Sequence, residues 1–134
     1  MTASHRLFST KLFPSPVAFS HVAVSGMGIA FISGLIGQNR TTGTLASAEL
    51  RPQAEAMFDN FAVVLAEAGL DPRAVLRITF YLTSYDDFAE LDAIYSERIP
   101  KPYPARVTLQ VAGLPLGARV QIDAVAETAG RPRY

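Results

Sequence analysis

Apolar residues recur along this chain in two periods, and the switches between them mark its elements. Val22 to Ser25 and Ile29 to Ser33 are short runs of strand-forming residues. Gly26-Met27-Gly28 lies between them and supplies the backbone freedom of a hairpin turn. Gly37 to Thr44 is polar and carries Gly37, Asn39 and Gly43, which predicts a loop. The period then changes. Ala54, Met57, Phe58, Phe61, Val64, Leu65 and Ala68 recur at spacings of three and four, the stripe of an amphipathic helix. Pro52 sits near its start, where a missing N–H costs little, and Gly69 followed by Asp71-Pro72 stops it.

Alternation returns at Ile78, Phe80 and Leu82, interleaved with Thr79, Tyr81 and Thr83. Ser84 with Asp87 resembles a capping box, with Asp in place of the usual Glu, ahead of a second helix that carries Phe88, Leu91, Ala93, Ile94 and Tyr95 and ends before Pro100. Val107, Leu109 and Val111 alternate with Arg106, Thr108 and Gln110. A Gly113–Gly117 turn then leads into a strand from Arg119 to Glu127 with Val120, Ile122, Ala124 and Ala126 on one face. The predicted order is β-β-α-β-α-β-β, with one more strand near Leu7 and Phe8. Such a pattern implies an α+β fold, a sheet with both helices on one face. The other face is expected to carry Arg106, Thr108, Gln110, Gln121 and Asp123, along with Tyr81 and Val125. That mixture suits a face completed by another subunit.

Composition removes several function classes. The 134 residues predict one domain spanning 1–134, long enough for a real core. Twelve Lys and Arg balance twelve Asp and Glu, so nothing favours nucleic acid or an anionic membrane as partner. There is no cysteine, and the two histidines, His5 and His21, do not have metal-ligand spacing; no metal and no cofactor are expected. No apolar stretch has the length of a membrane span and no secretory leader is evident, so a cytoplasmic location is the default. Gly26-Met27-Gly28 lacks the third glycine of a dinucleotide fingerprint, since Phe31 stands there, and no P-loop occurs. Phe31 also occupies the first glycine position of a nucleophile elbow around Ser33.

What remains is Arg106. Its guanidinium is always charged and presents a planar fork of donors that fits a carboxylate bidentately. A small carboxylate ligand is one reading of it, and a surface arginine on a strand edge is the other.

Several segments together resemble the RidA/YjgF family of small proteins, also called the L-PSP family. The resemblance rests on Phe31-Ile32-Ser33-Gly34, on Asn60 to Leu70, and on Phe88 through Tyr95. Its most specific part is Tyr103-Pro104-Ala105-Arg106 followed by Val120-Gln121-Ile122-Asp123-Ala124. It implies a chorismate-mutase-like fold and a homotrimer with clefts at the subunit boundaries. In members with deaminase activity, the arginine matched by Arg106 holds the carboxylate of a 2-imino acid, and water hydrolyses the imine to a 2-keto acid and ammonia. The resemblance places Ser33, Gly34 and Phe19 in that cleft. His21, Asp92 and Thr108 join them as candidate substrate contacts.

The chain departs from the active pattern at three positions. Gln121 replaces the glutamate credited with holding the water, Asp92 an asparagine, and Phe19 a tyrosine. The first matters most. Gln121 can orient water through its carbonyl oxygen but cannot take up a proton, and a positioned acid or base contributes ~10²–10⁴-fold. The alternatives are therefore an imine hydrolase with Arg106 and Gln121 as its catalytic pair, and a trimeric carboxylate-binding protein with little turnover. The endoribonuclease activity attached to parts of the family is a weaker third, against which the absence of net charge counts. Asp123 is expected to pair structurally. His21 is expected as an exposed strand histidine with an alternative role as a base, and Asp92 as a solvated residue or one contributed by a neighbouring subunit.

Overall fold

From Val120 to Glu127 buried and half-buried residues alternate without a break, and this strand sets the plan of the molecule. The computed structural model describes residues 4–128. Its strands are β1 (His5–Leu7), β2 (Val22–Val24), β3 (Ile29–Leu35), β4 (Val75–Leu82), β5 (Ala105–Gln110) and β6 (Val120–Glu127), and its helices are α1 (Leu50–Glu67) and α2 (Phe88–Arg98). They form one sheet in the order β1-β2-β3-β6-β4-β5. β4 and β5 are parallel, joined by the α2 crossover, and the other pairs are antiparallel. The predicted α+β architecture is present, including the strand at Leu7. Among the described residues no helix is long and apolar enough to cross a membrane.

The helices cover one face of the sheet. Ile78, Phe80 and Leu82 of β4 lie level with Ala124, Ile122 and Val120 of β6, and all are sealed against Met57, Phe58, Phe61 and Val64 of α1 and Leu91 and Ile94 of α2. Each buried leucine, isoleucine or phenylalanine contributes roughly 1.5–3 kcal/mol by leaving water. α1 ends as its sequence predicts. Gly69 takes φ +67°, its N–H bonds to Ala66 O, and Leu70 N–H bonds to Leu65 O, the paired closure of a Schellman motif. Gly28, at φ +87°, closes the β2–β3 hairpin.

Three local expectations change. The Ser84 hydroxyl does cap, but it accepts from Asp86 N–H and starts a short 3₁₀ turn before α2. Asp87 takes no part in a capping box. It is buried, and its two oxygens accept from Arg119 Nε and Nη2 at 3.2 and 2.7 Å.

The third change concerns β5. Its parallel register sets Arg106 beside Ile78 and Thr108 beside Phe80, so Arg106, Thr108 and Gln110 lie on the helix-covered face. Val107 and Leu109 face away and are 41% and 37% exposed. Gln121, Asp123, Tyr81 and Val125 do lie on the uncovered face, where Asp123 accepts a 2.5 Å hydrogen bond from Tyr81 Oη. That bond is the main reason why the Tyr81 phenol titrates above its ordinary range. Polarity misled here because β5 is an edge strand. Its inner face meets the aromatic side of α2, which accepts a guanidinium, and its apolar residues are left outside.

Gly37 shows how closely the loop before α1 packs. A Cβ there would stand 2.1 Å from Gln53 O, a backbone atom that cannot turn aside, whereas one at Gly113 would meet nothing within 4 Å. Gly37→Ala should lower stability by about 1–3 kcal/mol, as overpacking does. Gly113→Ala should leave it unchanged or slightly higher. Thermal unfolding of the two variants measures the contrast.

Candidate functional site

The predicted site residues fall into two clusters. The first surrounds Arg106. Phe88, Asp92 and Tyr95 recur at spacings of four and three along α2, so they share one helix face, and β5 runs beneath it. The Arg106 guanidinium carbon lies 4.8 Å from the Tyr95 ring centre and 5.4 Å from that of Phe88, within cation–π range of both. Its Nη1 donates to Asp92 Oδ1 at 2.7 Å. The Arg106 side chain is 22% exposed and that of Asp92 54%, so the pair itself stabilises the fold by no more than ~1 kcal/mol. What it fixes is direction. With Nη1 engaged, Nε and Nη2 still offer a parallel pair of donors.

Asp92, expected as a solvated residue or a neighbour's contribution, is half exposed and pairs with Arg106 of its own chain. Thr108 follows two residues along the same face, and its Oγ1, like Tyr95 Oη, is buried without a hydrogen-bond partner. Burial raises the Tyr95 phenol above its ordinary pKa, and Arg106 opposes that shift. Sequence reasoning missed Phe88 and Tyr95 as supports of Arg106. The spacing that puts them beside Asp92 was visible, but it read as core.

The second cluster lines a cavity of about 380 Å³ at one end of the sheet. Phe19, His21, Gly34 and Gln121 are in its wall, with Leu12, Phe13 and Val17 supplying apolar surface. Gly34 permits the arrangement, because a Cβ there would stand 2.6 Å from Gln121 Nε2. Ser33 lies next to this group, but its hydroxyl donates to Ser20 O at 2.6 Å and braces the backbone. His21 differs from its expectation as an exposed strand residue. It precedes β2, is 4% exposed, and its Nδ1 accepts the Ser9 N–H at 2.9 Å. Phe8 and Phe19 flank its ring, each with centres 4.8 Å away. Among the described residues, no group of three or more His, Cys, Asp or Glu is placed to hold a metal ion.

The two clusters do not meet within one chain. β4 separates β5 from β6, and Arg106 lies level with Ala124, so Arg106 and Gln121 are roughly 9.5 Å apart across the sheet and roughly 10 Å apart along it, on opposite faces.

The model of the family described as endoribonuclease L-PSP matches residues 10–128. The chain belongs to this family. It is 34% identical over 121 residues to the human protein named 2-iminobutanoate/2-iminopropanoate deaminase, a match covering 90% of this chain and 88% of that one. It is 33% identical over 118 residues to the Arabidopsis thaliana protein named Reactive Intermediate Deaminase A, chloroplastic. That match covers 88% of this chain but only 63% of the plant protein. The crystal structure of RidA from an Antarctic Psychrobacter superposes with a TM-score of 0.85 at 29% identity, covering 92% of this chain and 98% of that one. The sheet order and helix placement described above are thus those of the RidA/L-PSP family, as the sequence resemblance implied.

Proposed function

We propose that this family member hydrolyses small 2-imino acids to 2-keto acids and ammonia, in clefts formed between the subunits of a homotrimer. The observation that carries this reading is the Arg106 guanidinium. It is held between two aromatic rings with Nη1 on Asp92, which leaves a planar donor edge for a substrate carboxylate. The relatives named as 2-iminobutanoate and reactive-intermediate deaminases support the reaction class.

The trimer follows from distance. A three- or four-carbon imino acid cannot touch Arg106 and the Gln121 cavity of one chain, because those groups lie on opposite sheet faces. A neighbour that covers the uncovered face, where Phe31, Val107 and Leu109 are exposed, and reaches round the β5 edge would bring its own cavity to Arg106. Arg106, Asp92 and Thr108 then come from one subunit, and Phe19, His21, Ser33, Gly34 and Gln121 from the next.

In such a cleft Arg106 fixes the carboxylate, and water stands against the imine carbon. Placement of this kind supplies much of the acceleration in a reaction that already proceeds in solution. Gln121 orients the water but takes no proton, so solvent must carry it. The same carboxamide favours a second reading, a carboxylate-binding trimer with little turnover.

Three outcomes are expected. Sedimentation equilibrium at micromolar concentration should give a trimer; a stable monomer would remove the shared cleft. In calorimetry with pyruvate or 2-ketobutyrate, Arg106→Lys should weaken binding, since it keeps charge but loses the fork, and Arg106→Ala should abolish it. Unchanged affinity in the Ala variant would return Arg106 to a structural role. With 2-iminopropanoate generated by an amino-acid oxidase and the remaining imine trapped by semicarbazide, the native chain should accelerate imine loss modestly and Gln121→Glu should do so more. No acceleration by the native chain, with carboxylate binding intact, would favour the binding protein.

A further inference from the structure

The group with the most sharply defined chemistry outside the Arg106 cluster is His21. The Ser9 N–H points at its Nδ1 from 2.9 Å, and a nitrogen that accepts a hydrogen bond has no proton of its own. The neutral ring therefore carries its proton on Nε2. Phe8 and Phe19 fix the plane of the ring. Glu67, at the end of α1, is the charged group that acts on it, and its carboxylate takes the Ser9 hydroxyl in a short hydrogen bond. Burial outweighs the pull of Glu67 and holds the His21 pKa below its ordinary value. Protonating Nδ1 would also break the Ser9 bond.

Among the described residues Nε2 has no hydrogen-bond partner. The sealed side-chain atoms without partners are Tyr95 Oη and Thr108 Oγ1, so Nε2 is not closed off. His21 shares the wall of the cavity with Gln121, Gly34 and Arg40.

We propose that His21 is a fixed hydrogen-bond donor rather than a base, and that its Nε2–H and the Gln121 carboxamide together hold the attacking water. This rests on the imine-hydrolase reading above. Nε2–H donates to the water oxygen, and Gln121 Oε1 accepts one of its hydrogens. The imine nitrogen takes a proton from solvent. The water oxygen bonds to the imine carbon as the C=N π pair moves onto nitrogen. The added oxygen loses a proton to solvent, and the nitrogen gains one. The C–N bond then breaks, its electron pair leaves with ammonia, and the remaining hydroxyl proton departs as C=O forms. Neither side chain changes protonation state. A neutral donor facing a neutral acceptor thus does the positional work of a carboxylate without its proton transfer.

Nitrogen-15 NMR of the full chain reads the tautomer directly. The expected result at pH 7 is a neutral His21 protonated on Nε2; an Nδ1–H tautomer or an imidazolium would overturn the proposal. Kinetics supplies the second arm. His21→Gln keeps a donor at the end of the side chain and should retain kcat within about threefold. His21→Phe keeps the ring but loses the donor and should lower kcat about fivefold, the worth of one neutral hydrogen bond, with little change in KM. A folded His21→Phe with native kcat, or a folded His21→Gln that has lost activity, would overturn it. If His21→Phe fails to fold, the tautomer and the Gln variant decide. A native chain that does not accelerate imine loss overturns the hydrolase reading and this proposal with it. Native acceleration with the wrong tautomer overturns this proposal alone.

Discussion

Two carboxamides buried on one side of α1 tie the molecule together. Gln53 and Asn60 stand seven residues apart, two turns of helix, and both face the loop that leads into α1. Asn60 Nδ2 donates to Ile36 O and Gln38 O, both at 3.0 Å. Gln53 Nε2 donates to Ser47 O at 2.9 Å, while its Oε1 accepts the Arg119 N–H at 2.6 Å. Left unpaired, each of these buried groups would cost about 1–3 kcal/mol. Paired, they fasten the loop and the start of β6 to one helix. Arg119 extends the tie to Asp87 at the entrance of α2. The cavity wall and the Arg106 cluster, on opposite faces of the sheet, are thereby braced through a single chain of polar contacts.

Long periodic stretches were legible. α1 shows its stripe, and its Gly69 stop falls where the backbone needs a positive φ. β6 shows a strict alternation, and its polar set, Gln121 and Asp123, lies on the face that alternation predicted. β5 was legible as a strand but not as to which way it faces. Alternation fixes which residues share a face, and only the neighbours decide which face is inside. Here the neighbour is the Phe88–Asp92–Tyr95 side of α2, which suits a cation. The environment of His21 was illegible for a different reason. Its partners, Ser9 and Glu67, are twelve and forty-six residues away, and no local pattern links them.

The polar wall of the cavity is mostly neutral, with Ser15, His21, Gln38, Asn60 and Gln121, and Arg40 is the charged residue that lines it. Gln121 is a neutral carboxamide, and burial holds the His21 pKa below its ordinary value while the Ser9 N–H occupies its Nδ1. The anchor half holds the opposed charges, Arg106 and Asp92. In the proposed cleft, the carboxylate anchor and the groups that hold the water thus belong to separate elements on opposite faces of the sheet.

The aromatic grip on Arg106 also has a thermodynamic side. A free arginine side chain has ~2 kcal/mol of rotamer entropy to lose. Between Phe88, Tyr95 and Asp92 much of that loss has already occurred when the chain folds, long before a ligand arrives. An anion that docks there meets a pre-set fork and orders little that was not ordered before. The same rigidity withholds adaptability. In the proposed cleft the contacts with α2 set the direction of the Arg106 fork, so a shift in that helix would move the point at which a carboxylate is held.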